Sequence, residues 1–446
     1  MRLPGILFLL ALSTCTRAQT AAAGEVQGVY AASYALYTEL HQNPELSAHE
    51  TRTAEKLSTR LRDVGYEVSE HVGGTGIVAV LKNGPGPTVM LRTELDGLPV
   101  EEKTGLPYAS KVRTKDDLGR DVSVMHACGH DIHMASLFGA ASIMAHKRDA
   151  WHGTLILIGQ PAEETISGAR KMVADGLFAR FPKPDVAVAL HVGNELPAGA
   201  VGVGSGYRYA NADSIRITIF GKGGHGAAPD TTIDPVVIAA RTILSLQTIV
   251  SRELKPGEAA VITVGTIHAG NKNNIISDQA ELGLSVRSYL PEVRKQMLAA
   301  IARITKAEAE SAGATRLPMI EKYESTDAVY NNPALAQRLT KILTVALGDG
   351  HVSTEKPQMA SEDFSYFTQQ GIPSFYFSLG GADPEKLADA TKSGAKLPSN
   401  HSALFAPDAE PAIRTAITAE VAVLRDLLQG SAEDLSQSIS SGDSNK

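Results

Sequence analysis

The sequence predicts an α/β protein: a mixed, mostly parallel β-sheet held between helices, with a smaller α+β domain inserted into it. Three observations carry this expectation. Short, nearly uncharged apolar runs alternate with helical stretches through the first part of the chain, the pattern of strands buried on both faces. From about residue 210 the style changes to strands alternating apolar and polar residues, as half-exposed strands do. The first style then returns in "SFYFSLG" and in a long helix after Pro407.

Taken in order, "MRLPGILFLLALSTCTRAQ" has Arg2 as a positive start, an apolar core from Ile6 to Leu12 and a small-residue cleavage site at Thr16-Arg17-Ala18. Residues 1–18 therefore read as a secretory signal peptide, too short for a stable span. The mature chain is expected to be exported, either periplasmic or secreted, with Cys15 removed or lipidated. Only Cys128 then remains, which leaves no intramolecular disulfide.

Ala54, Leu57, Leu61 and Val64 recur at helical spacing and predict an amphipathic helix ending near Gly65. Strands are expected at Gly76–Leu81, Thr88–Leu91, Thr154–Ile158 and Asp185–Leu190, and helices at Asp131–His146 and Ala169–Leu177. The insert opens on "ADSIRITIF". It continues with a helix over 235–252, strands over 260–267 and 279–287, a helix over 291–312 and a last strand over 315–320. The expected domains are 25–209 with 326–429, and the insert 210–325. Residues 430–446 are polar and small, and are expected to be disordered.

Length and composition fit a soluble two-domain protein: 446 residues, 43% hydrophobic and 20% charged. A net charge of −7 argues against a general nucleic-acid binder. No apolar run after the N-terminus is long enough to span a bilayer.

Chemistry-bearing residues gather where strands end. Asp96 follows "TVMLR", Glu163 and Glu164 follow "TLILIGQ", His191 closes "DVAVAL", and Cys128 and His130 precede a helix. In open α/β sheets, functional side chains meet beyond the carboxyl ends of the strands. Singly, each has a bland reading: a packed thiol, a solvated pair of glutamates, a core histidine. Together, thiolate, imidazole and carboxylate form a set that binds zinc or another first-row divalent ion. A Cys128 nucleophile with His130 as its base is the rival, and it leaves Glu163, Glu164 and His191 without a task.

The blocks "MHACGHD", "QPAEE", "GKGGHGAAP", "MASEDFSYF" and "NHS" occur in one order along the chain. In that order they resemble the two-metal aminoacylase/carboxypeptidase family, in the branch of indole-acetyl-amino-acid and hippurate hydrolases. The resemblance runs from "LHQNPELS" to "NHSALFAPDAEPA". It implies a dinuclear-metal catalytic domain with an inserted dimerisation or lid domain. Cys128 would bridge two divalent ions, with His130, Glu164, His191 and His401 as the other ligands. Glu163 would be the general base, and Asp96 a carboxylate supporting a ligand. His225 would stabilise the oxyanion across a homodimer, and Asn274 and Arg287 would hold the substrate's carboxylate. Zinc is the expected ion, with manganese, cobalt and nickel as alternatives.

The implied reaction is hydrolysis of the amide of an N-acyl or aryl-acyl amino acid, or of a C-terminal peptide bond. A dipeptidase-like metallopeptidase and a non-catalytic periplasmic binding protein are the rival readings. Glu94, Gly97, Asp230 and Ser277 depart from the family pattern, which usually has Asp, Ala, His and Pro there. None of them is an implied ligand.

Overall fold

The computed structural model describes residues 6–440, with side chains described from 23 to 439. Residues 1–5, the start of the expected signal peptide, and 441–446, the end of the expected disordered tail, lie outside the described residues. The chain divides into two compact units. The first comprises 1–206, 330–356 and 366–446, and the second 207–329 and 357–365.

The first unit is built on an eight-stranded sheet. Its strands are β1 (Glu67–Ser69), β2 (Ile77–Asn83), β3 (Thr88–Glu94), β4 (Gly153–Gln160), β5 (Val186–Pro197), β6 (Val201–Val203), β11 (Val352–Thr354) and β12 (Ser374–Ala382). Their order is β1-β2-β4-β3-β5-β12-β6-β11. The central pairings, β4 with β3, β3 with β5 and β5 with β12, are all parallel. The antiparallel pairings lie outside them. This is the mixed, mostly parallel sheet the sequence predicts. The β3, β4 and β5 strands therefore end on the same edge, where the candidate site residues follow them.

Helices α1 (Ile6–Gln42), α2 (Thr51–Asp63), α3 (His130–His146), α6 (Pro333–Leu347), α7 (Ala409–Leu427) and α8 (Ala432–Ser440) belong to this unit. The α3 helix is buried on all sides from His130 to Met144, as a helix apolar around its whole circumference must be. It packs against α1, α2, α7 and β3. The α2 helix buries Ala54, Leu57 and Leu61, and the chain turns at Gly65 with φ +97°.

Two expectations change here, and one helix goes beyond them. The helix expected over Ala169–Leu177 breaks at Gly176 (φ +82°) into Gly168–Ala174 and Leu177–Arg180. The α1 helix runs far past the apolar core ending at Leu12, because Leu36, Tyr37 and Leu40 face the main core. Within the tail expected to be disordered, Ala432–Ser440 form α8, whose Leu435 and Ile439, four residues apart, are buried in that same core.

The second unit carries β7 (Asn211–Phe220), β8 (Ala260–Ala269), β9 (Gln279–Ser288) and β10 (Met319–Thr326), ordered β8-β9-β7-β10 and all antiparallel. Alternate residues (Ile215, Ile217, Ile219 on β7; Leu282, Leu284, Val286 on β9) point into a core shared with α4 (Pro235–Thr248) and α5 (Pro291–Ser311). The last strand begins at Met319 rather than 315, since Pro318 has no N–H for the ladder. It continues through polar residues to pair Thr326 with Ala212.

Candidate metal centre

All five expected ligands lie in the first unit, and the fold brings them together. His191 sits within β5, and Glu163 and Glu164 lie in the turn after β4. Cys128 and His130 flank Gly129, whose φ of +85° starts α3. A Cβ at Gly129 would come within 2.3 Å of Val192, so a larger residue would push the Cys128 loop off β5. His401 has φ +69°, and its N–H donates to the Ala127 carbonyl at 2.8 Å.

Cys128 Sγ lies 3.3 Å from both His191 Nε2 and His401 Nε2. His401 Nε2 is 3.3 Å from Glu164 Oε2, and His130 Nε2 is 4.0 Å from Glu163 Oε2 and from Glu164 Oε1. Two donor triplets share the thiol, Cys128–His130–His191 and Cys128–Glu164–His401, and His130, Glu163 and Glu164 form a further one beside them.

The surroundings aim each donor inward. His130 Nδ1 hydrogen-bonds the Asp96 carbonyl at 2.8 Å and lies 3.4 Å from Asp96 Oδ1. Nδ1 therefore carries a proton and Nε2 faces the site, where this buried atom finds no hydrogen-bond partner among the described residues. His191 Nδ1 likewise donates to the Val192 carbonyl at 2.9 Å. The Asn400 amide donates to the carbonyls of Cys128 (3.1 Å) and Val192 (3.0 Å), tying two ligand segments together. Asp96 Oδ2 accepts from Ser47 Oγ (2.7 Å) and from the Glu164 N–H (3.0 Å).

The electrostatics ask for positive charge. Burial, then Glu164 and Glu163, push the Cys128 thiol well above its ordinary range. Burial alone would lower His130, but Asp96, Glu94 and Glu164 outweigh it and raise this imidazole to about 10. Burial, aided by His133, lowers His191 to about 3, leaving it neutral and able to donate a lone pair. A buried thiol among carboxylates, with one orphaned imidazole nitrogen, fits a bound cation, which would relieve the negative charge and hold the thiol deprotonated.

His133 and Glu94 also stand near His130 but do not extend the ligand set. His133 Nδ1 donates to Glu94 Oε2 at 2.8 Å, and its Nε2 accepts from the Val192 N–H at 2.9 Å. Both ring nitrogens are used. Glu94 also meets Arg92, and it is held low despite burial by Arg92 and His133. Glu94 stood in the sequence only as a departure from a family pattern. His133 gave one signal, a second histidine one turn along α3 from His130.

The remaining expected residues lie in the second unit. His225 is exposed in a two-residue strand paired to Ile275–Ile276, and its Nδ1 accepts from the Ala227 N–H at 3.0 Å. The neighbouring Gly226 N–H donates to the Asn274 carbonyl at 2.8 Å, so His225 and Asn274 share one corner. Arg287 lies near the far end of β9, donating to the Met359 carbonyl at 2.8 Å and to Ser361 Oγ at 3.3 Å. Within this unit, Asn274 and Arg287 are thus separated by the length of β9, and the fold does not join them as one carboxylate clamp.

A family model described as peptidase family M20/M25/M40 matches residues 90–394. The chain belongs to peptidase family M20/M25/M40. It is 36% identical over 374 residues to thermostable carboxypeptidase 2 of Saccharolobus solfataricus, covering 83% of this chain and 88% of that one. It is 37% identical over 345 residues to hippurate hydrolase of Campylobacter jejuni, covering 76% and 85%. The crystal structure of the Bacillus subtilis YXEP protein, titled a dinuclear metal binding peptidase, superposes with a TM-score of 0.71 at 28% identity, covering 89% of this chain and 98% of that one. The expected family resemblance is borne out, and as an M20/M25/M40 member the chain is a hydrolase of amide bonds.

Proposed function

We propose that this hydrolase cleaves the amide of N-acyl or aryl-acyl amino acids, or a C-terminal peptide bond, using two divalent cations. The observation that carries the reading is the pair of donor triplets sharing Cys128. Cys128, His130 and His191 would hold one cation, and Cys128, Glu164 and His401 the other. Bound there, the cations supply Lewis acidity, which acidifies water and polarises a carbonyl.

The chain's own residues supply the rest. Glu163 belongs to neither triplet that contains Cys128, and its Oε2 lies 4.0 Å from His130 Nε2. As general base, Glu163 would take the proton of the attacking water and pass it to the leaving nitrogen. Asp96 fixes the His130 ring and the Glu164 backbone. Zinc suits a shared thiolate, with manganese, cobalt or nickel as alternatives.

Around this site we place three further readings. The second unit pairs two copies into a homodimer, with exposed His225 acting as oxyanion donor for the partner subunit. Asn274 and Arg287, supplied by different copies of the chain, bind the substrate's carboxylate, for which a guanidinium is suited. The segment 1–18 directs export to the periplasm or beyond.

The test is metal analysis of the purified protein together with a hydrolysis panel of N-acetyl, N-benzoyl and indole-acetyl amino acids, dipeptides and C-terminally extended peptides. Turnover of acylated or C-terminally extended substrates, abolished by chelation and restored by a divalent ion, is the expected result. Turnover confined to free dipeptides would point to a dipeptidase instead. Full activity after exhaustive chelation would overturn the metal assignment.

A further inference from the structure

The turn carrying Glu163 and Glu164 is bent against the ordinary preference of its residues. Ala162 has φ +50° and Ile166 φ +50°, both left-handed without being glycine. A Cβ at Gly168 would fall 1.5 Å from the Pro161 carbonyl oxygen, so the turn closes on itself without spare room. Such a backbone persists only where its surroundings hold it.

One of the side chains that hold it is left without a task by the catalytic reading. Glu50, fully buried just ahead of α2, accepts the Ala162 N–H on its Oε1 at 2.8 Å. The same Oε1 accepts the N–H of Ala48 at 2.8 Å, and Ala48 is itself left-handed at φ +66°. The Thr75 hydroxyl donates to Oε2. A single oxygen thus secures two strained alanines, one beside Ser47 and one beside Glu163. Ser47 and the Glu164 N–H in turn converge on Asp96 Oδ2. Segment 47–50 and turn 161–166 are therefore cross-linked twice, by Glu50 at one point and Asp96 at the next.

We infer that Glu50 is a positioning residue for Glu163 and Glu164: its Oε1 holds Ala162 left-handed and so sets where the two carboxylates point. The inference rests on the proposed roles of Glu163 as base and Glu164 as ligand. Because both backbone bonds land on one oxygen, acceptor geometry rather than charge is the essential property. A glutamine carbonyl can take that place, its amide facing a Thr75 hydroxyl that turns round to accept. A leucine fills the volume and accepts nothing. An aspartate keeps the charge but is one methylene short of reaching both N–H groups.

The experiment compares Glu50→Gln, Glu50→Leu and Glu50→Asp in the full chain by three readouts. The first is exchange of the Ala162 amide hydrogen in metal-free protein, with α3 and α7 amides as the control for folding. The second is affinity for zinc by competition with a chelator. The third is kcat and KM on an N-acyl amino acid. Leucine should expose the Ala162 amide, weaken zinc binding and lower kcat by about 100-fold, the scale of an ångström's misplacement of a reacting group, with less change in KM. Glutamine should restore amide protection, zinc affinity and most of kcat. Should the leucine variant not fold, aspartate carries the test, with the same direction of loss.

A glutamine variant as impaired as leucine would overturn the inference, because charge would then be what matters. A folded leucine or aspartate variant with unchanged kcat and zinc affinity would overturn it too. Failure of the functional reading is distinct: wild-type protein would then show no metal-dependent amide hydrolysis, while amide exchange at Ala162 would still decide whether Glu50 holds the turn.

Discussion

Glu163 and Glu164 are chain neighbours to which the proposed function gives different tasks. Glu164 meets His401 and completes a donor triplet with Cys128, whereas Glu163 stands outside both triplets that contain Cys128. Glu163→Gln should therefore leave metal content unchanged and lower kcat by about 10²–10⁴-fold, the contribution of a general base. Metal analysis beside steady-state kinetics checks it, and a metal-loaded variant with near-normal turnover would remove Glu163 from that role. Cys128→Ser should instead lose metal affinity together with activity, because a hydroxyl stays protonated where a thiolate binds. A chelator competition in which the serine variant holds metal like the wild type would refute the shared-thiol reading. These donors were legible in the sequence because their types are chemically distinctive and follow predicted strands. Glu50, Asn400 and the His133–Glu94 pair were not, since a buried hydrogen bond to a distant backbone leaves no trace in spacing.

At the scale of elements, α3 is anchored beneath the site by a buried ion cluster that joins it to α1. His41 Nδ1 lies 2.7 Å from Asp131 Oδ2, and its Nε2 is 3.1 Å from Glu102 Oε1. Burial alone would depress His41, but Asp131 and Glu102 outweigh it and raise the imidazole to about 10. A folded-state pKa raised above the ordinary histidine value of about 6.5 gives stability fully present below that pH. The contribution is lost as pH rises toward and through 10. Denaturant titrations of wild-type protein between pH 6 and 10 should show that decline, flattened in His41→Leu. The substitution leaves two buried carboxylates without their cation and should cost about 3–5 kcal/mol near neutral pH. An unchanged stability–pH profile in the variant would show that the cluster does not hold α1 to α3. The contact is not legible in the sequence for a plain reason: the only marked feature of α1 there is the apolar stretch ending at Leu12. Nothing in "LHQNP" announced a helix end delivering His41 to Asp131.

For the whole molecule, the two-part organisation was legible because the period of apolar residues changes where the chain passes between units. The return of 357–365 to the second unit was not, since so short a segment carries no period of its own. The separation of Asn274 from Arg287 along β9 has a larger consequence. If both serve one substrate carboxylate, as proposed, they must come from different copies of the chain. His225, in the same corner as Asn274, must then serve the partner's metals too. Under that proposal His225→Ala loses activity, by roughly 3 kcal/mol of barrier for one oxyanion donor, while keeping its metal. The defect belongs to the neighbour's site, whereas that of Glu163→Gln belongs to its own. Mixing the two inactive variants under subunit exchange should restore activity, because one site in each mixed dimer pairs an intact Glu163 with an intact His225 from the other copy. Native mass spectrometry verifies the mixed dimers, and hydrolysis of an N-acyl amino acid is then assayed. Restored turnover that scales with the mixed fraction would establish the shared site. Verified mixed dimers that stay inactive would confine His225 to its own subunit, and the separation of Asn274 from Arg287 would then need an explanation within one chain.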